Sequence, residues 1–560
     1  MTRLLRTLSQ AVKERWALLG ALPARHVCTA LVLVFSLWVL ADVFALRVSS
    51  GLSTATYDAM VRTRLVTAAP DPRIVILDID EASLLSMGKE FGRWPWPRDT
   101  LATVLDYLEK QQPAAIVWDI AFSDPDRLSP GGDKAFDEAV RRSPHSIFSV
   151  VRLPAANDGH SRLTPAQLPM LWQRDASAVV SSATPSSATP TAALIVPVLP
   201  AVAAARLGYN NGYPDADGVL RRYRYLEQVG AVGDGWALKS LPYAVAEALH
   251  PQAAQAVQSV HAGNHEQLMA WRRHANSYPK LSFASVFAAA DGGKAQAALP
   301  SFAGKIVLIG STAPSLHDIH PTPLSPVQAG VDSLATAIDN ALNQRHLGEL
   351  SRALQATLAI GLCVALAVWV RWRGVASLDA ALFALPVALL VLSYASLNLL
   401  GIFIDLYLPA ALALLFLAAL RTWNNLRRAH WCDWQSSRHA ADTSLALWAC
   451  AASLGWVDAR LDRLVDAVEK HLPGCRVLVA DSNFTWPGAL RWPELAAYAA
   501  VIGPRHLLEE GMPRLLTRLR CEGGTLVALP PAASRLAVVA CALGQWSTML
   551  DCVSIDENQT

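Results

Sequence analysis

Four carboxylates and two tryptophans recur in this chain where a parallel sheet would gather them. Asp78 and Asp80 end the apolar run Arg73-Ile-Val-Ile-Leu-Asp-Ile-Asp80, and Asp119 follows Ala114-Ala-Ile-Val-Trp118. Asp318 lies eight residues beyond Lys305-Ile-Val-Leu-Ile-Gly310. Ligands of parallel sheets gather at the carboxyl ends of the strands, where these acids fall. Trp94, Trp96 and Arg98, from Trp94-Pro-Trp-Pro-Arg98, add aromatic surface and a fixed positive fork. The chemistry implied is a pocket for a small polar ligand or a cation, built from Asp78, Asp80, Trp94, Trp96, Arg98, Asp119 and Asp318. A plainer reading stands beside it. Asp80 caps the helix that follows, and the Trp-Pro corner fixes a turn and fills the core. His317 and His320 flank Asp318 in a Pro-rich stretch that reads as a loop rather than a metal site. No metal site, no cofactor and no catalytic residues are expected.

The elements that hold these residues follow from pattern. Residues 73–80 and 114–122 are buried-strand runs, and Thr100 to Lys110 between them is amphipathic, with Leu101, Val104, Leu105 and Leu108 on one face. Strand, helix and strand within about 50 residues read as a βαβ unit with a parallel sheet. A third strand is expected at 305–310 and a helix from about Val331 to Leu342. Residues 176–193, almost all Ala, Ser, Thr, Pro and Val, read as a flexible insertion outside the core.

The chain has 560 residues, is 52% hydrophobic and only 17% charged, with a net charge of +2. That near-neutral balance gives no reason to expect a nucleic-acid partner. It points instead to membrane spans, each an apolar run of about 20 residues. One such run is 27–46, interrupted by Asp42 and preceded by Arg3, Arg6, Lys13, Arg15 and Arg25 against the single acid Glu14. No small-residue cleavage site follows it, so it reads as an uncleaved anchor. Three more runs lie at about 353–370, 380–400 and 406–420.

Arg371 and Arg373 sit in the loop after the second run; Arg421, Arg427 and Arg428 follow the fourth. The positive-inside rule then puts both termini inside and residues 47–352 outside. A re-entrant 380–420 hairpin is the alternative to two full crossings. The eight cysteines agree with this topology, since none falls between 47 and 352, the segment assigned to an oxidising compartment. The layout expected is a cytoplasmic basic leader (1–26), one span (27–46), an outer α/β domain (47–352), three clustered spans (353–420) and a small cytoplasmic α/β layered domain (421–560).

The outer segment resembles the type-2 CHASE domain, an extracytoplasmic sensor module of bacterial membrane receptors. The matching blocks run in order: Tyr57-Asp58 with Arg62 and Arg64, Ile74 to Asp80 with Ser83-Leu84, Trp94 to Arg98, Ile116-Val-Trp-Asp119 with Phe122, Gly208-Tyr-Asn-Asn, Asp217-Gly-Val-Leu-Arg-Arg222, Gly304 to Gly310, Asp318, Thr322-Pro323, Gly330 and Ala337-Ile-Asp-Asn340. They cover roughly 50–345; residues 155–200 and 250–295 are longer or more irregular than the common pattern. The resemblance implies a periplasmic sensor in the bacterial inner membrane, with three spans directly after the domain. Its partners would be the membrane, a small periplasmic ligand, and a protein partner or a second copy of the chain.

The C-terminal region reads as strands at 444–452, 476–481, 499–503 and 525–529, with helices at 461–471, 507–520 and 535–543. It holds no kinase glycine loop or His-Arg-Asp block. Glu522-Gly-Gly524 lacks the acids of a cyclase signature, and the strand ends lack the acids of a phospho-receiver. Residues 500–504 and 522–528 are similar to part of the class I glutamine-amidotransferase-like fold, without its nucleophile elbow. A non-catalytic output or docking domain is therefore expected, with Asp481-Ser482-Asn483 as a candidate ligand contact. The competing readings are an envelope scaffold subunit and an unrecognised enzyme using Cys521 or Asp481.

Overall fold

The computed structural model describes residues 22, 24–127, 129–174, 189–230, 235–259, 266–292, 299–373 and 381–432. Past these it describes 443–451, 468, 471–472, 475–479, 495–511 and 527–528. The chain divides into two compact units, one of residues 1–50, 351–392 and 405–560, the other of residues 51–350 with 393–404.

The larger unit is built on a seven-stranded sheet of six parallel strands, β1 (Ile74–Asp78), β2 (Ala115–Trp118), β3 (Ser146–Arg152), β4 (Arg206–Tyr209), β5 (Lys280–Ser282) and β6 (Ile306–Gly310), with Leu194–Ile195 antiparallel to β3. Their spatial order is β5-β1-β6-β2-β3-β4, with Ile76, Leu308, Val117 and Ile147 in register across the centre. β1, β2 and β6 are buried along their whole length, which is why they read as unbroken apolar runs. Alternate residues feed two cores. Ile74, Ile76, Val117, Ile147 and Leu308 enter one; Val75, Leu77, Ile116, Trp118, Phe148 and Ile309 enter the other.

Helix α1 (Glu81–Phe91), α2 (Arg98–Glu109) and α3 (Pro130–Arg142) contribute Met87, Leu105 and Phe136 to the second core. Helix α4 (Gly330–Asn343) covers the first core with Val331, Leu334, Ala335, Ile338 and Ala341. A smaller sheet joins Arg222–Arg224, Glu266–Met269, His346–Glu349 and Ile402–Phe403.

The irregular stretch 250–295 contains β5, the edge strand that pairs with β1. Residues 189–193 correct the expectation of an insertion wholly outside the core. Ala192 is fully buried, and Ala193 N–H donates to Asp158 Oδ1 at 2.8 Å. Residues 176–188 lie outside the described residues.

Residues 393–404 fold with the larger unit. Leu65 N–H and Val66 N–H donate to Asn398 Oδ1 at 2.8 and 3.2 Å, and the Tyr394 hydroxyl donates to the Thr63 carbonyl at 2.5 Å. Ile402 and Phe403 pair in parallel with Gly348 and Glu349.

Among the described residues, four helices are long and apolar enough to cross a membrane: His26–Leu46, Arg352–Val370, Ala381–Leu399 and Tyr407–Leu426. The first carries Asp42 in a π-helical turn, where its carboxylate accepts the Ser49 N–H at 3.1 Å. Cys28, Cys363, Phe416 and Leu420 share one apolar cluster in the smaller unit. Its C-terminal part forms an antiparallel sheet in the order Arg476–Val479, Leu495–Pro504, Thr443–Ala451, Val527–Ala528. Residues 505–511 begin the helix expected there. Asp481, Ser482, Asn483, Cys521 and the helix expected at 535–543 lie outside the described residues.

Candidate functional site

A cleft of about 500 Å³ opens at the carboxyl edge of the large sheet, within the larger unit. That volume is in the range of small-molecule pockets. Asp119 follows β2 directly, Asn210 follows β4, and Gly310 and Ser311 end β6; the start of α4 closes one side. The backbone sets these positions by extending the strand ladder, with Asp119 N–H donating to the Ile309 carbonyl at 2.8 Å and Ile79 N–H to the Gly310 carbonyl at 2.9 Å. Trp118, one residue before Asp119, is locked by stacking on Phe148 at 5.8 Å and by the Phe136 edge at 5.3 Å.

Two glycines bring the walls together. A Cβ on Gly310 would stand 2.8 Å from Val331 Cγ2, so only glycine lets α4 begin against the end of β6. A Cβ on Gly330 would stand 2.3 Å from Asp318 Oδ2, so the Asp318 carboxylate rests against the first residue of α4. Gly330 N–H donates to the Asp318 carbonyl at 2.9 Å. Negative charge at a helix start is favourable.

Asp119 Oδ1 accepts from Asn210 Nδ2 at 2.7 Å. Burial pushes its pKa up to about 6, Asn210 works against the rise, and the neighbouring Asp318 charge adds to it. Asp318 pairs with His320 Nε2 at 3.2 Å, and this hydrogen bond raises the His320 pKa against the lowering effect of burial. Tyr223 and Ser333 also line the cleft, each only 3% exposed, and neither hydroxyl has a hydrogen-bond partner. A buried hydroxyl left unpaired costs about 1–3 kcal/mol, so each is a group awaiting a partner. Burial drives the Tyr223 pKa well up, and the Asp119 charge contributes.

Of the residues singled out in the sequence, Trp94, Asp119 and Asp318 meet in this cleft. The other four are engaged elsewhere. Asp78 is buried and accepts from Thr312 N–H at 2.8 Å and Thr312 Oγ1 at 2.6 Å, tying down the loop after β6; burial raises its pKa while Thr312 opposes that. Asp80 caps α1 by accepting the Ser83 N–H at 2.6 Å. Trp96 is 2% exposed and packs between Trp94 at 4.9 Å and Phe283 at 5.4 Å. Arg98 bonds the Asp133 carboxylate and the Asp124 carbonyl and lies over the Phe122 ring at 5.5 Å. His317 has left-handed backbone (φ 58°) and faces the Ser315 carbonyl through Nδ1 at 3.0 Å, outside the cleft, whereas His320 lines it.

Asn210, Tyr223, His320 and Ser333 were not counted among the candidate ligand contacts. Asn210 belongs to the quoted Gly208-Tyr-Asn-Asn block, and Tyr223 follows Arg222 directly. Ser333 gave no signal, because its role depends on where α4 begins. Among the described residues no three His, Cys, Asp or Glu side chains converge as a metal site would require.

The fold is an α/β domain with a cleft at the carboxyl edge of a parallel sheet, in a chain whose described residues include four helices apolar enough to cross a membrane. Residues 29–371 match the CHASE2 domain, more than half of the chain, and the chain belongs to that family of extracytoplasmic sensor domains. The match begins within the first apolar helix and ends one residue past the second. No curated protein and no solved structure matches the chain significantly.

Proposed function

We propose that this chain is a bacterial inner-membrane sensor that recognises a small ligand outside the cytoplasm and reports it to its C-terminal region inside. The observation that carries this reading is the cleft itself. Two buried hydroxyls without partners and a carboxylic acid of raised pKa converge at the carboxyl edge of a parallel sheet, in a chain that belongs to a sensor family.

The proposed topology has both termini in the cytoplasm. Residues 393–404, the end of the third apolar helix and most of its link to the fourth, fold as part of the larger unit. This favours two full crossings over a re-entrant hairpin, because the link then shares a side with residues 51–350. The proposed route of the signal is α4. Its first turn lines the cleft, and three residues after its end the strand His346–Glu349 leads to the apolar helix Arg352–Arg373. A ligand shifts such an element only by its difference in affinity for two states. The output is proposed to be non-catalytic, a change of shape or self-association in the C-terminal region.

Proteolysis in native membranes tests both parts. Protease added to spheroplasts should cut residues 51–350 and spare the C-terminal region, and inverted vesicles should give the reverse; the opposite pattern would sink the topology. Filling the cleft with Ser311→Trp should change the digestion pattern of the C-terminal region in inverted vesicles. An unchanged pattern, in protein that still folds, would refute transduction from this cleft.

A further inference from the structure

The cleft holds a carboxylate that its own side chains offset only in part, through the Asn210 hydrogen bond and a His320 charge shared with Asp318. Asp119 has Asn210 as its hydrogen-bond partner, and among the described residues no Lys, Arg or His lies in ion-pair contact with it. His320, the cation of the cleft, is engaged by Asp318. Asp318 and Asp119 repel one another, which raises the free energy of the empty, doubly ionised site. The Tyr223 and Ser333 hydroxyls bring hydrogen-bond donors with nothing to receive them. Trp94, Pro95, Leu220, Leu316 and Leu334 make the remaining wall apolar.

These features discriminate among ligand classes. An anion would meet two carboxylates with one engaged imidazole to offset them. A neutral polyol would satisfy the hydroxyls and leave Asp119 without an ion-pair partner. A metal ion lacks a converging set of three ligands among the described residues. A small cation with hydrogen-bond acceptors and an apolar part answers every feature at once.

We propose that the cleft binds a small organic primary amine, its ammonium on Asp119, its acceptor oxygen on the Tyr223 and Ser333 hydroxyls, and its apolar portion against Trp94. The proposal rests on the sensor reading only in taking this cleft as the recognition site. The groups facing Asp119 from the surrounding elements are Asp318 and His320 from the loop before α4, Tyr223 from the smaller sheet, and Asn210 after β4. A cation prefers Asp119 ionised, so affinity should rise about tenfold per pH unit up to about pH 6 and then level off. Loss of the His320 charge at higher pH works in the same direction.

The test is calorimetric titration of the full-length protein in lipid nanodiscs with a matched pair, tyramine and tyrosol, which differ only in ammonium against hydroxyl. Tyramine should bind about 30-fold or more tightly than tyrosol, and Asp119→Asn should remove about that factor for tyramine alone. Ser333→Ala, a small change unlinked to charge, should weaken tyramine severalfold and keep its pH dependence. Equal binding of the two compounds, or indifference to Asp119→Asn, would overturn the amine and leave the cleft as a site for neutral ligands. Silence from tyramine, ethanolamine and glycinamide alike at millimolar concentration would also overturn it, as would Asp119-dependent binding of Ca²⁺ without any amine. The sensor reading falls separately, on an unchanged digestion pattern in Ser311→Trp.

Discussion

The two ends of α4 make opposite use of buried polar groups. At its start, Ser333 and the facing Tyr223 are buried without partners, and Asp119 nearby has its pKa raised. In its last turns, Asp339 is fully buried yet satisfied by many donors. Arg272 Nε, the Tyr278 hydroxyl and the Asp71 N–H reach Asp339 Oδ2 at 3.0, 2.9 and 2.9 Å, and Asn343 Nδ2 reaches Oδ1 at 2.9 Å. Asp71 tells the same story. Burial pushes its pKa up, but hydrogen bonds from Arg73 and Asn343 prevail and hold it well below the usual carboxylate range. At one end the buried carboxylate is saturated with donors, although Asn340 Nδ2 beside it is left without a partner. At the other the carboxylate has one donor and two hydroxyls have none, which is how an anchor differs from a receptor site.

The sharpest break of that contrast is Asp339→Ala. It strands Arg272, which is 2% exposed and otherwise bonds the Ala270 carbonyl and Asn340 Oδ1. Breaking a buried pair from one side costs about 3–5 kcal/mol. Thermal unfolding should show a loss of that order, with the cleft residues untouched. A loss below about 1 kcal/mol would mean that the network is no anchor.

The tryptophans repeat the comparison at the level of one motif. Trp96→Ala empties a buried site between Trp94 and Phe283 and should cost about 3–5 kcal/mol. Trp94→Ala, at the rim of the cleft, should cost about 1–2 kcal/mol and act on ligand affinity instead. Equal destabilisation by the two would mean that Trp94 is a core residue and no part of a binding wall.

How far the sequence shows all this depends on whether the causes are local. The central strands were legible because burial on both faces forces unbroken apolar runs, as in Ile74–Leu77 and Ile306–Ile309. The amphipathic α2 and the apolar α4 were legible for the same reason, and so were the four apolar helices. β3, β4 and β5 were not, because β3 breaks its apolar residues with Ser149 and ends in Arg152, and the short β4 and β5 carry Arg206, Lys280 and Ser282. The site was half legible. Acids at strand ends are visible, and Asp119 and Asp318 do meet in the cleft, but the same pattern placed Asp78 and Asp80 beside them. The structure shows Asp78 tying down Thr312 and Asp80 capping α1. Thr312 reaches Asp78 across 234 residues of chain and Asn210 reaches Asp119 across 91, so neither pairing shows locally, whereas the Asp80 cap on Ser83, three residues away, does.

Gly330→Ala probes the contact that joins loop to helix at the cleft. The added methyl would press on the Asp318 carboxylate and should cost about 1–3 kcal/mol. In an Asp318→Ala background the same change should cost less than about 0.5 kcal/mol, since nothing remains to clash. Additive losses in this double-mutant cycle would show that the glycine serves backbone geometry rather than room for Asp318.

The smallest effect has the opposite sign. Asp119 is about 6 in the folded protein against an ordinary value of 3.8, so across that window the folded state holds the proton more firmly than the unfolded chain does. Stability therefore falls as pH rises through the window, and above pH 6 the ionised acid is a standing penalty. Asp119→Asn, which cannot ionise, should raise the melting temperature of the ligand-free protein by roughly 2–5 °C near neutral pH. The gain should shrink to nothing as pH approaches 4, where wild-type Asp119 is protonated in both states. Asp71 runs the other way, its depressed pKa contributing stability that is lost only as pH falls. A substitution that stabilises the empty protein while abolishing amine binding marks a residue kept for its ligand. If Asp119→Asn instead destabilises at every pH, the carboxylate is structural and its pairing with Asn210 is the whole of its role.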